Sequence, residues 1–395
     1  MRQTSLLLSL VLVRTSSLLM PEESTMHTRT YMAYPRSEGI WGEVLPDVQS
    51  TIVSIANQIA THEPVTLLVD TDSSVYESLN SNVKEKEARV DDLWTRDTSC
   101  IFVYDCENYS ACVAEHGKTQ PWKNAKLKCV GFNFNGWGGK QTHDNDANVA
   151  WQVALFSGVE FVESDLTMEG GSIEVDGEGT ALATESSILI DSRNPGWSKA
   201  DVEAELLRTL GIEKVIWTAG IAGRDITDGH IDFYARFTSP GVVVVALETD
   251  TSLYDYNVTR QVLEDLTGAT DARGRALTVH TITNPKSIRQ EWSSDDFAAS
   301  YINYYVGNGF VLVPQFGSPG EDTAAVNKLK ELYPDRSIET INIDPLAFGG
   351  GGIHCATQQE PEGIAVFKLG SAASIGATSR WLTTLFVCLW GFLVG

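Results

Sequence analysis

Residues 198–218, SKADVEAELLRTLGIEKVIWT, contain a complete helix–strand unit. Ser198 is a favourable N-cap residue, and an apolar stripe at helical spacing follows it at Val202, Leu206 and Leu210. Gly211 is the residue type that most often ends a helix, and the apolar run 214–218 then predicts a buried strand. A helix that leads directly into an apolar strand is typical of α/β proteins, because the helix covers one face of the sheet.

The same alternation of helical and extended patterns continues on both sides of this unit. Further strands are predicted at 65–70, 99–105, 127–134, 231–237, 241–248, 277–282, 310–316 and 364–369. Further helices are predicted around 48–59, 146–157, 258–267, 297–307 and 321–333. Helices followed by strands at loosely regular intervals indicate a repeated unit. Because no Ser-, Gly- or Pro-rich linker divides the chain before residue 370, we predict one mixed α/β domain over about residues 20–370.

The composition limits the classes of partner. The chain has 395 residues, 29 basic against 52 acidic side chains, and a net charge of −23. An apolar fraction of 43% excludes a disordered chain. Nucleic acids and anionic membrane surfaces are polyanions, so this charge argues against either as the main partner. It is compatible with a small cationic substrate, although solubility alone explains the acidity of many proteins.

Both ends of the chain carry short apolar runs outside this domain. Arg2 followed by LLLSLVLV has the layout of a signal peptide, so 1–19 is predicted as a leader or signal-like segment. SAAS at 371–374, a short polar stretch and the apolar run 381–395 have the layout of a lipid-anchor signal, which assigns 371–395 as a C-terminal apolar tail. Together they predict a secreted or cell-surface anchored protein. The alternatives are an upstream start codon, a C-terminal helix packed on the core, and a cytoplasmic protein.

The cysteines favour an oxidising compartment. Four of the six lie near one another in sequence, at Cys100, Cys106, Cys112 and Cys129. These four cysteines predict two disulfides, and the sequence does not show which cysteines pair. A zinc site is the alternative, but the spacing of the four cysteines is not the usual spacing of zinc ligands. Asn108-Tyr-Ser110 and Asn257-Val-Thr259 are glycosylation sequons, a triplet that also occurs by chance. Cys355 is left without a partner within the domain.

Four polar segments, most of them rich in glycine, are candidates for a site: 94–97 (WTRD), 169–172 (EGGS), 228–232 (DGHID) and 349–355 (GGGGIHC). Cys355 follows the glycine run, and a thiol needs a base to act as a nucleophile. His230 is the candidate acid/base, and Asp232 shares its face if 231–237 is a strand. The structural alternatives are a small buried cysteine and a simple His–Asp hydrogen bond. Alternation along the chain would point His354 away from Cys355.

The carboxylates indicate the class of substrate. Asp97, Glu169 and Asp232 would supply hydrogen-bond acceptors, whereas acyl-transfer sites are dominated by donors that stabilise an oxyanion. A guanidinium group presents five N–H donors in a fixed planar fork, and two carboxylates can bind it bidentately. The residue types therefore favour a planar cation as the substrate.

Several long motifs carry a resemblance to a known family. They are MP (20–21), TYMAYP (30–35), WTRDT (94–98), FNFNGWGGK (132–140), EGGSIEVDGEGT (169–180), RDITDGHIDFYARF (224–237), NGFVLVPQFG (308–317) and GGGGIHCATQQEP (349–361). Together they resemble the agmatine deiminase and bacterial-type peptidylarginine deiminase family of guanidine-modifying enzymes. The similarity covers most of the chain and leaves out 1–19 and 371–395.

This resemblance implies a fold and a set of residue roles. The fold is a single-domain, five-bladed α/β propeller of the pentein type with pseudo-fivefold symmetry. Cys355 matches the nucleophile that forms a covalent thiouronium, and His230 matches the acid/base. Asp97 and Asp232 match the carboxylates that hold the guanidinium, and Glu169 matches an acidic residue that positions the histidine or substrate. The family needs no metal or organic cofactor.

The same resemblance makes agmatine the expected substrate, converted to N-carbamoylputrescine and ammonia. Trp94, Trp137 and Gly351 are the expected pocket-wall residues, with core packing as the alternative for either tryptophan. Plant-type agmatine deiminases tend to carry the acidic stretch GDEDTNGH where this chain has GRDITDGH at 223–230, so two acidic positions are lost and Arg224 replaces one of them. A cation at the pocket mouth suits a substrate with a carboxylate, which makes deimination of free arginine or an arginine peptide the alternative activity. The third hypothesis is a catalytically silent, secreted binding protein. The protein is also expected to form a homo-oligomer.

Overall fold

The computed structural model describes residues 17–70, 75, 78–106, 109–115, 124–294 and 296–366. Most of the predicted leader, the whole of the predicted C-terminal tail, and the sequon residue Asn108 lie outside the described residues. No helix in the described part of the chain is both long and apolar enough to cross a membrane.

The structure alternates short helices and strands along its length. The strands are β1 (Leu18–Leu19), β2 (His27–Ala33), β3 (Val65–Val69), β4 (Val83–Glu87), β5 (Ile101–Asp105), β6 (Lys126–Gly131), β7 (Glu160–Glu163), β8 (Ile173–Val175), β9 (Thr180–Thr184), β10 (Lys214–Thr218), β11 (Ala235–Ser239), β12 (Val242–Leu247), β13 (Thr278–Thr283), β14 (Tyr305–Gly307), β15 (Phe310–Gln315), β16 (Ser337–Asn342), β17 (Gln358–Pro361) and β18 (Ile364–Ala365). The helices are α1 (Glu38–Trp41), α2 (Leu45–Ile59), α3 (Thr95–Thr98), α4 (Tyr109–Glu115), α5 (Gly136–Gly139), α6 (Val149–Ser157), α7 (Glu185–Ile188), α8 (Lys199–Leu210), α9 (Asp255–Thr267), α10 (Pro319–Leu332) and α11 (Asp344–Phe348).

These strands form five separate mixed sheets that share one topology. In each sheet an antiparallel pair is followed by a helix and a third strand that pairs in parallel with the second. The successive triplets are β17–β2–β3 around α2, β5–β6–β7 around α6, β8–β9–β10 around α8, β11–β12–β13 around α9 and β14–β15–β16 around α10. Parallel pairing requires a crossover, and the helix provides it. The expectation of an α/β chain built from repeated units is therefore confirmed. Strand β17, which follows Cys355, completes the unit that begins the domain.

The helix–strand unit at 198–218 shows how local sequence sets these elements. Ser198 accepts a hydrogen bond from the backbone of Asp201, and Asp201 accepts one from the backbone of Ser198, which forms a capping box. Gly211 adopts the left-handed conformation (φ 72°) that ends α8. A side chain there would also overlap the carbonyl of Leu18 in β1. Thus two residues of the predicted leader, Leu18 and Leu19, lie in a sheet of the domain.

Two predicted elements are wrong. Residues 231–233 form a 3₁₀ turn and not a strand, and β11 begins only at Ala235. Residues 297–304 are not helical, and 305–307 form β14. This segment is apolar enough to suggest a helix, but Tyr301, Ile302 and Tyr304 are completely buried within the largest core cluster. Burial on all sides removes the polar face that would distinguish a surface helix from an irregular core segment.

The described cysteines are paired, with one exception. Disulfides join Cys100 to Cys129 and Cys106 to Cys112, with Cα–Cα separations of 5.5 and 6.1 Å. Cys355 is the free cysteine of the described residues, and it is buried. The alternative of a zinc site at the four clustered cysteines is therefore excluded.

Candidate active site

Each of the five units contributes a polar side chain from the segment just before its first strand. These side chains are Asp97 before β5, Glu169 before β8, His230 and Asp232 before β11, Asn303 before β14, and Cys355 before β17. All of them are buried. The shared topology thus brings together residues that are scattered over most of the sequence.

Gly171 marks the point where three of these side chains converge. A Cβ atom placed on this glycine would lie 2.6 Å from His230 Nδ1 and 3.0 Å from both Asp232 Oδ2 and Asp97 Oδ1. The backbone N–H of Gly171 also donates a hydrogen bond of 3.0 Å to Asp97 Oδ1. The absence of a side chain at residue 171 therefore leaves room between two carboxylates and an imidazole.

The nucleophile candidate lies in a tightly packed loop after α11. The Asn303 side chain donates to Cys355 Sγ at 3.2 Å and accepts from the Cys355 backbone N–H at 3.3 Å. A side chain at Gly352 would overlap Asn303, and one at Gly351 would overlap the Trp94 ring. These glycines are thus required by the packing of neighbouring side chains. Burial, reinforced by the carboxylates of Asp232 and Asp97, raises the pKa of the Cys355 thiol well above its ordinary value.

His230 is held by an acidic partner that is itself anchored by a cation. Its Nε2 lies 3.2 Å from Glu169 Oε2, and because a carboxylate only accepts, this nitrogen carries the proton. Arg193 binds both oxygens of Glu169, at 2.8 and 3.0 Å, and also binds Asp228 at 2.7 Å. Burial disfavours the imidazolium, but the carboxylates of Asp97 and Glu169 outweigh it and raise the pKa of His230 to about 9. His230 is therefore a proton donor at neutral pH.

Asp97 lies in the short helix α3 and faces the imidazole of His230. Its Oδ2 accepts a hydrogen bond of 2.9 Å from Trp137 Nε1 and lies 3.8 Å from His230 Nδ1. Trp137 has a left-handed backbone (φ 55°, ψ 46°), which is uncommon for a bulky residue and places its indole N–H on the carboxylate. Burial raises the pKa of Asp97, and the nearby charge of Glu169 adds to this effect. A bound cation would favour the ionised form of Asp97.

Only one of the two carboxylate oxygens of Asp232 accepts hydrogen bonds within the described residues. Its Oδ2 accepts from His354 Nδ1 at 2.8 Å and from Asn303 Nδ2 at 3.1 Å, and it lies 3.7 Å from Cys355 Sγ. Within the described residues, Asp232 Oδ1 and His230 Nδ1 are buried atoms without a hydrogen-bond partner. Buried polar atoms without partners are costly unless a ligand satisfies them. The site thus presents an unused acceptor and an unused imidazole nitrogen.

The predicted pocket-wall residues have different environments. Trp94, Trp137 and Gly351 are buried, and Trp94 also packs beside Trp41 with ring centroids 5.9 Å apart. Arg224 is exposed, with its guanidinium carbon 5.9 Å from the centre of the Tyr254 ring. Arg224 is thus placed on the surface, unlike the other predicted residues.

One cluster next to the site resembles a metal-binding set. Donor atoms of Glu23, Glu174 and His354 all lie within 4.8 Å of one another. Arg236 binds both glutamates, however, and Arg96 binds Glu23 at 3.0 Å. The negative charge is already compensated by two guanidinium groups, so these residues do not fit a cation.

Sequence reasoning missed three contributors to this site, Asn303, Arg193 and Glu23, and it left His354 as a structural neighbour of Cys355. None of the first three occupies a polar, glycine-rich segment, although Asn303 precedes the first strand of its unit as the other site residues do. That position within the repeat is the signal that could have identified it. Arg193 and Glu23 had no comparable signal, because their partners are distant in sequence.

Comparison with known proteins gives consistent matches over almost the whole described chain. The model of the Porphyromonas-type peptidyl-arginine deiminase family matches residues 19–361. A Streptomyces coelicolor protein named "Putative agmatine deiminase" is 37% identical over 355 residues, which cover 87% of this chain and 98% of that protein. The structure of the agmatine deiminase of Enterococcus faecalis is similar with a TM-score of 0.80 and 29% identity, covering 89% of this chain and 99% of that one. A Porphyromonas gingivalis structure named "Putative Arginine Deiminase" gives 0.75 and 26%, with coverages of 88% and 99%.

Proposed function

The chain belongs to the Porphyromonas-type peptidyl-arginine deiminase family, and on that premise we propose that it is a cysteine-dependent hydrolase that converts agmatine to N-carbamoylputrescine and ammonia. The observation that carries the proposal is the convergence of His230, Asp232 and Asp97 around Gly171, next to the free thiol of Cys355. A planar cation fits this arrangement, because the carboxylates of Asp97 and Asp232 face the centre and are hydrogen-bond acceptors.

Asp97 and Asp232 hold the guanidinium group. The free Oδ1 of Asp232 accepts one N–H of the substrate, and Asp97 accepts others through lone pairs that Gly171 and Trp137 leave unused. Two fixed carboxylates orient the planar group and present its central carbon to Sγ of Cys355, which lies 3.7 Å from Asp232 Oδ2. Trp94, Trp137 and Gly351 form the surrounding wall.

Substrate binding activates the nucleophile. In the free protein, burial and the carboxylates of Asp232 and Asp97 keep the thiol of Cys355 protonated. A bound guanidinium compensates those two charges, which lowers the pKa of the thiol and favours the thiolate. The N–H of Asn303, 3.2 Å from Sγ, stabilises the negative sulfur.

The reaction then proceeds in two balanced stages. Sγ of Cys355 bonds to the guanidinium carbon, His230 donates its Nδ1 proton to one nitrogen, and that C–N bond breaks to release ammonia. The product of this stage is a thiouronium on Cys355. Neutral His230 next takes a proton from water, and the hydroxide adds to the thiouronium carbon. The C–S bond then breaks to return the thiolate, and the hydroxyl proton passes to the released ammonia or to solvent, which leaves the neutral ureido product. Glu169 orients His230 throughout through the 3.2 Å contact to Nε2.

A substrate panel tests the proposed activity. With agmatine, purified protein should release ammonia and N-carbamoylputrescine in equal amounts, at a higher kcat/KM than with free arginine or with a peptide that ends in arginine. The names of the Streptomyces and Enterococcus proteins support agmatine as the first choice. Lack of turnover with all three substrates would contradict a deiminase.

Deimination of arginine is the second candidate, and the charges of the 224–228 loop favour it. Arg224 is exposed on this loop, and the carboxylate of Asp228 is already bound by Lys140 at 2.6 Å and by Arg193 at 2.7 Å. A loop that presents a cation and a neutralised acid is better suited to a substrate carboxylate than to the second amine of agmatine. Citrulline formation faster than N-carbamoylputrescine formation in the panel would reverse the order of the two candidates.

The proton on His230 sets an expected pH dependence. Because the pKa of His230 is about 9 in the free protein, kcat/KM should fall as the pH rises through that value and the proton donor is lost. Replacing Glu169 with glutamine removes one of the carboxylates that raise this pKa and leaves Arg193 with Asp228 as its acidic partner. In Glu169→Gln the alkaline limb should therefore move to lower pH, while the control Glu185→Gln, at a partly exposed residue, keeps the wild-type profile. An unchanged alkaline limb in Glu169→Gln would contradict the assignment of His230 as the proton donor.

We further propose that the five units form a five-bladed α/β propeller with pseudo-fivefold symmetry and the site on its axis. The common topology of the five sheets supports this arrangement, as does the contribution of one site segment by each unit. An experimental structure tests it, since successive units should superpose by rotations of roughly a fifth of a turn. Clearly unequal rotations would exclude the symmetry.

We also propose that the protein is secreted or held at the cell surface through its C-terminus. The disulfides Cys100–Cys129 and Cys106–Cys112 support an oxidising compartment. Fractionation of expressing cells tests this, because a phospholipase that cleaves glycolipid anchors should release the protein from the surface. Recovery in the cytosol with four reduced cysteines would contradict it. Homo-oligomerisation stays a prediction, which mass photometry of the purified protein would test.

A further inference from the structure

A line of buried and partly buried charged side chains runs away from the proposed nucleophile. It begins at Asp232, whose Oδ2 lies 2.8 Å from His354 Nδ1, and continues from His354 Nε2 to Glu23 Oε1 at 2.7 Å. His354 is completely buried. An imidazolium ring, with an N–H on each nitrogen, donates to both carboxylates at once. His354 therefore connects a substrate-binding carboxylate to a second, partly buried acid.

The far end of this line is fixed by two guanidinium groups. Arg96 lies 3.0 Å from Glu23 Oε1, and Arg236 binds Glu23 and also Glu174, at 2.5 Å. Arg236 lies over the ring of Tyr304, with 4.4 Å between its guanidinium carbon and the ring centre. Glu23 is thus unable to reorient without breaking several buried ion pairs.

At the Asp232 end of this line, two hydrogen bonds determine which carboxylate oxygen is available to bind a substrate. His354 and Asn303 both donate to Oδ2, and this leaves Oδ1 without a partner. Without the His354 contact, the carboxylate could rotate about its terminal torsion, which is a soft, roughly twofold degree of freedom. Burial opposes ionisation of Asp232, and the hydrogen bond and charge of His354 are the largest effects that hold its pKa below the ordinary value.

The members of this line adjoin catalytic residues in the chain. His354 precedes Cys355, and Arg96 precedes Asp97. The side chain of Arg96 also donates to the carbonyl of His354 at 3.4 Å, and its backbone N–H donates to the carbonyl of Cys355 at 3.1 Å. Displacing one of these side chains would therefore move a neighbouring catalytic group.

From this geometry we propose that His354 is a positioning residue that fixes Asp232 for guanidinium binding, and that Glu23 in turn fixes His354. The proposal rests on the proposed function, in which Asp232 holds the substrate. His354 does not touch the reacting atoms and acts through Asp232.

The test compares two alkylating agents of nearly the same shape. Chloroacetamidine is a planar cation that the carboxylates should hold near the thiol, whereas chloroacetamide is a neutral analogue. The full-length protein is alkylated with each reagent and then digested, and mass spectrometry follows the peptide that contains Cys355, because the chain has a further cysteine at Cys388. The ratio of the two rates measures the carboxylate contribution without requiring turnover.

In His354→Gln we expect this ratio to fall roughly tenfold or more, since one positioned carboxylate contact is lost, while the rate with chloroacetamide changes little. Glu23→Gln keeps the shape and removes one charge, so it should lower the ratio less, and the double variant should lower it by less than the product of the two effects. The control is His62→Gln, which removes another His–Glu contact of 2.7 Å at a partly exposed position. It should leave the ratio unchanged.

Three results distinguish the positioning role of His354 from a packing role and test the proposed guanidinium site. An unchanged ratio in folded His354→Gln, or in Glu23→Gln if His354→Gln does not fold, would overturn the positioning role. An equal fall with both reagents would assign His354 to general packing and also overturn it. A wild-type protein that shows no preference for the cationic reagent would instead contradict the proposed guanidinium site itself.

Discussion

Turnover of agmatine should fall by at least about 10⁴-fold when Cys355 is replaced by alanine, because no other group can form the covalent intermediate. Water would then have to attack a resonance-stabilised guanidinium directly. The carboxylates of Asp97 and Asp232 remain in this variant, so it should still bind the substrate. Steady-state ammonia release measures the first effect, and calorimetric titration with agmatine measures the second.

The same mechanism predicts an observable intermediate. Acid quenching of the wild-type protein during turnover should trap a mass increase on Cys355 equal to agmatine minus ammonia. Cys355→Ala should show no such increase. Retention of a tenth or more of the wild-type activity in Cys355→Ala would exclude covalent catalysis by this residue.

Replacing Gly171 with alanine should lower kcat/KM by at least about a hundredfold, even though the change adds a single methyl group. That methyl would lie 2.6 Å from His230 Nδ1 and 3.0 Å from Asp232 Oδ2 and Asp97 Oδ1, in the space proposed for the guanidinium. We therefore expect weaker substrate binding and displacement of the His230 side chain, the proposed proton donor.

The matched control is Gly320→Ala. Gly320 lies in α10, and a Cβ atom there meets nothing within 4 Å, so activity should be unchanged. Thermal unfolding of both variants distinguishes a local effect on the site from loss of the fold. Near wild-type kcat/KM in folded Gly171→Ala would show that the substrate does not occupy this space.

Much of the local structure follows from patterns that need no tertiary information. The N-cap Ser198 and the helix-ending Gly211 bound α8 as predicted, because capping depends on hydrogen bonds within a few residues. Apolar strands such as the fully buried β3 and the partly buried β10 were identified directly. Strand β4, with sequence VKEKE, was missed because it is an exposed edge strand that carries charged side chains.

The residue types that suit guanidine chemistry also stand out in the sequence. Cys355, His230 and Asp97 lie in motifs long enough to carry a family resemblance, and the matching family model covers residues 19–361. The turn at 231–233 shows the limit of this reasoning. His230 and Asp232 converge on Gly171 through a 3₁₀ turn and not through the alternation of a strand.

The sequence by itself therefore determined most of the helix–strand alternation and which polar residues are candidates for the site, since both follow from residue identity and short-range spacing. Only the tertiary structure decided which side chains hold the site in place. Arg193 anchors Glu169, and the 2.7 Å contact between His354 and Glu23 joins residues 331 positions apart. Such contacts join segments that are distant in sequence, and no local pattern encodes which buried donor will meet which acceptor.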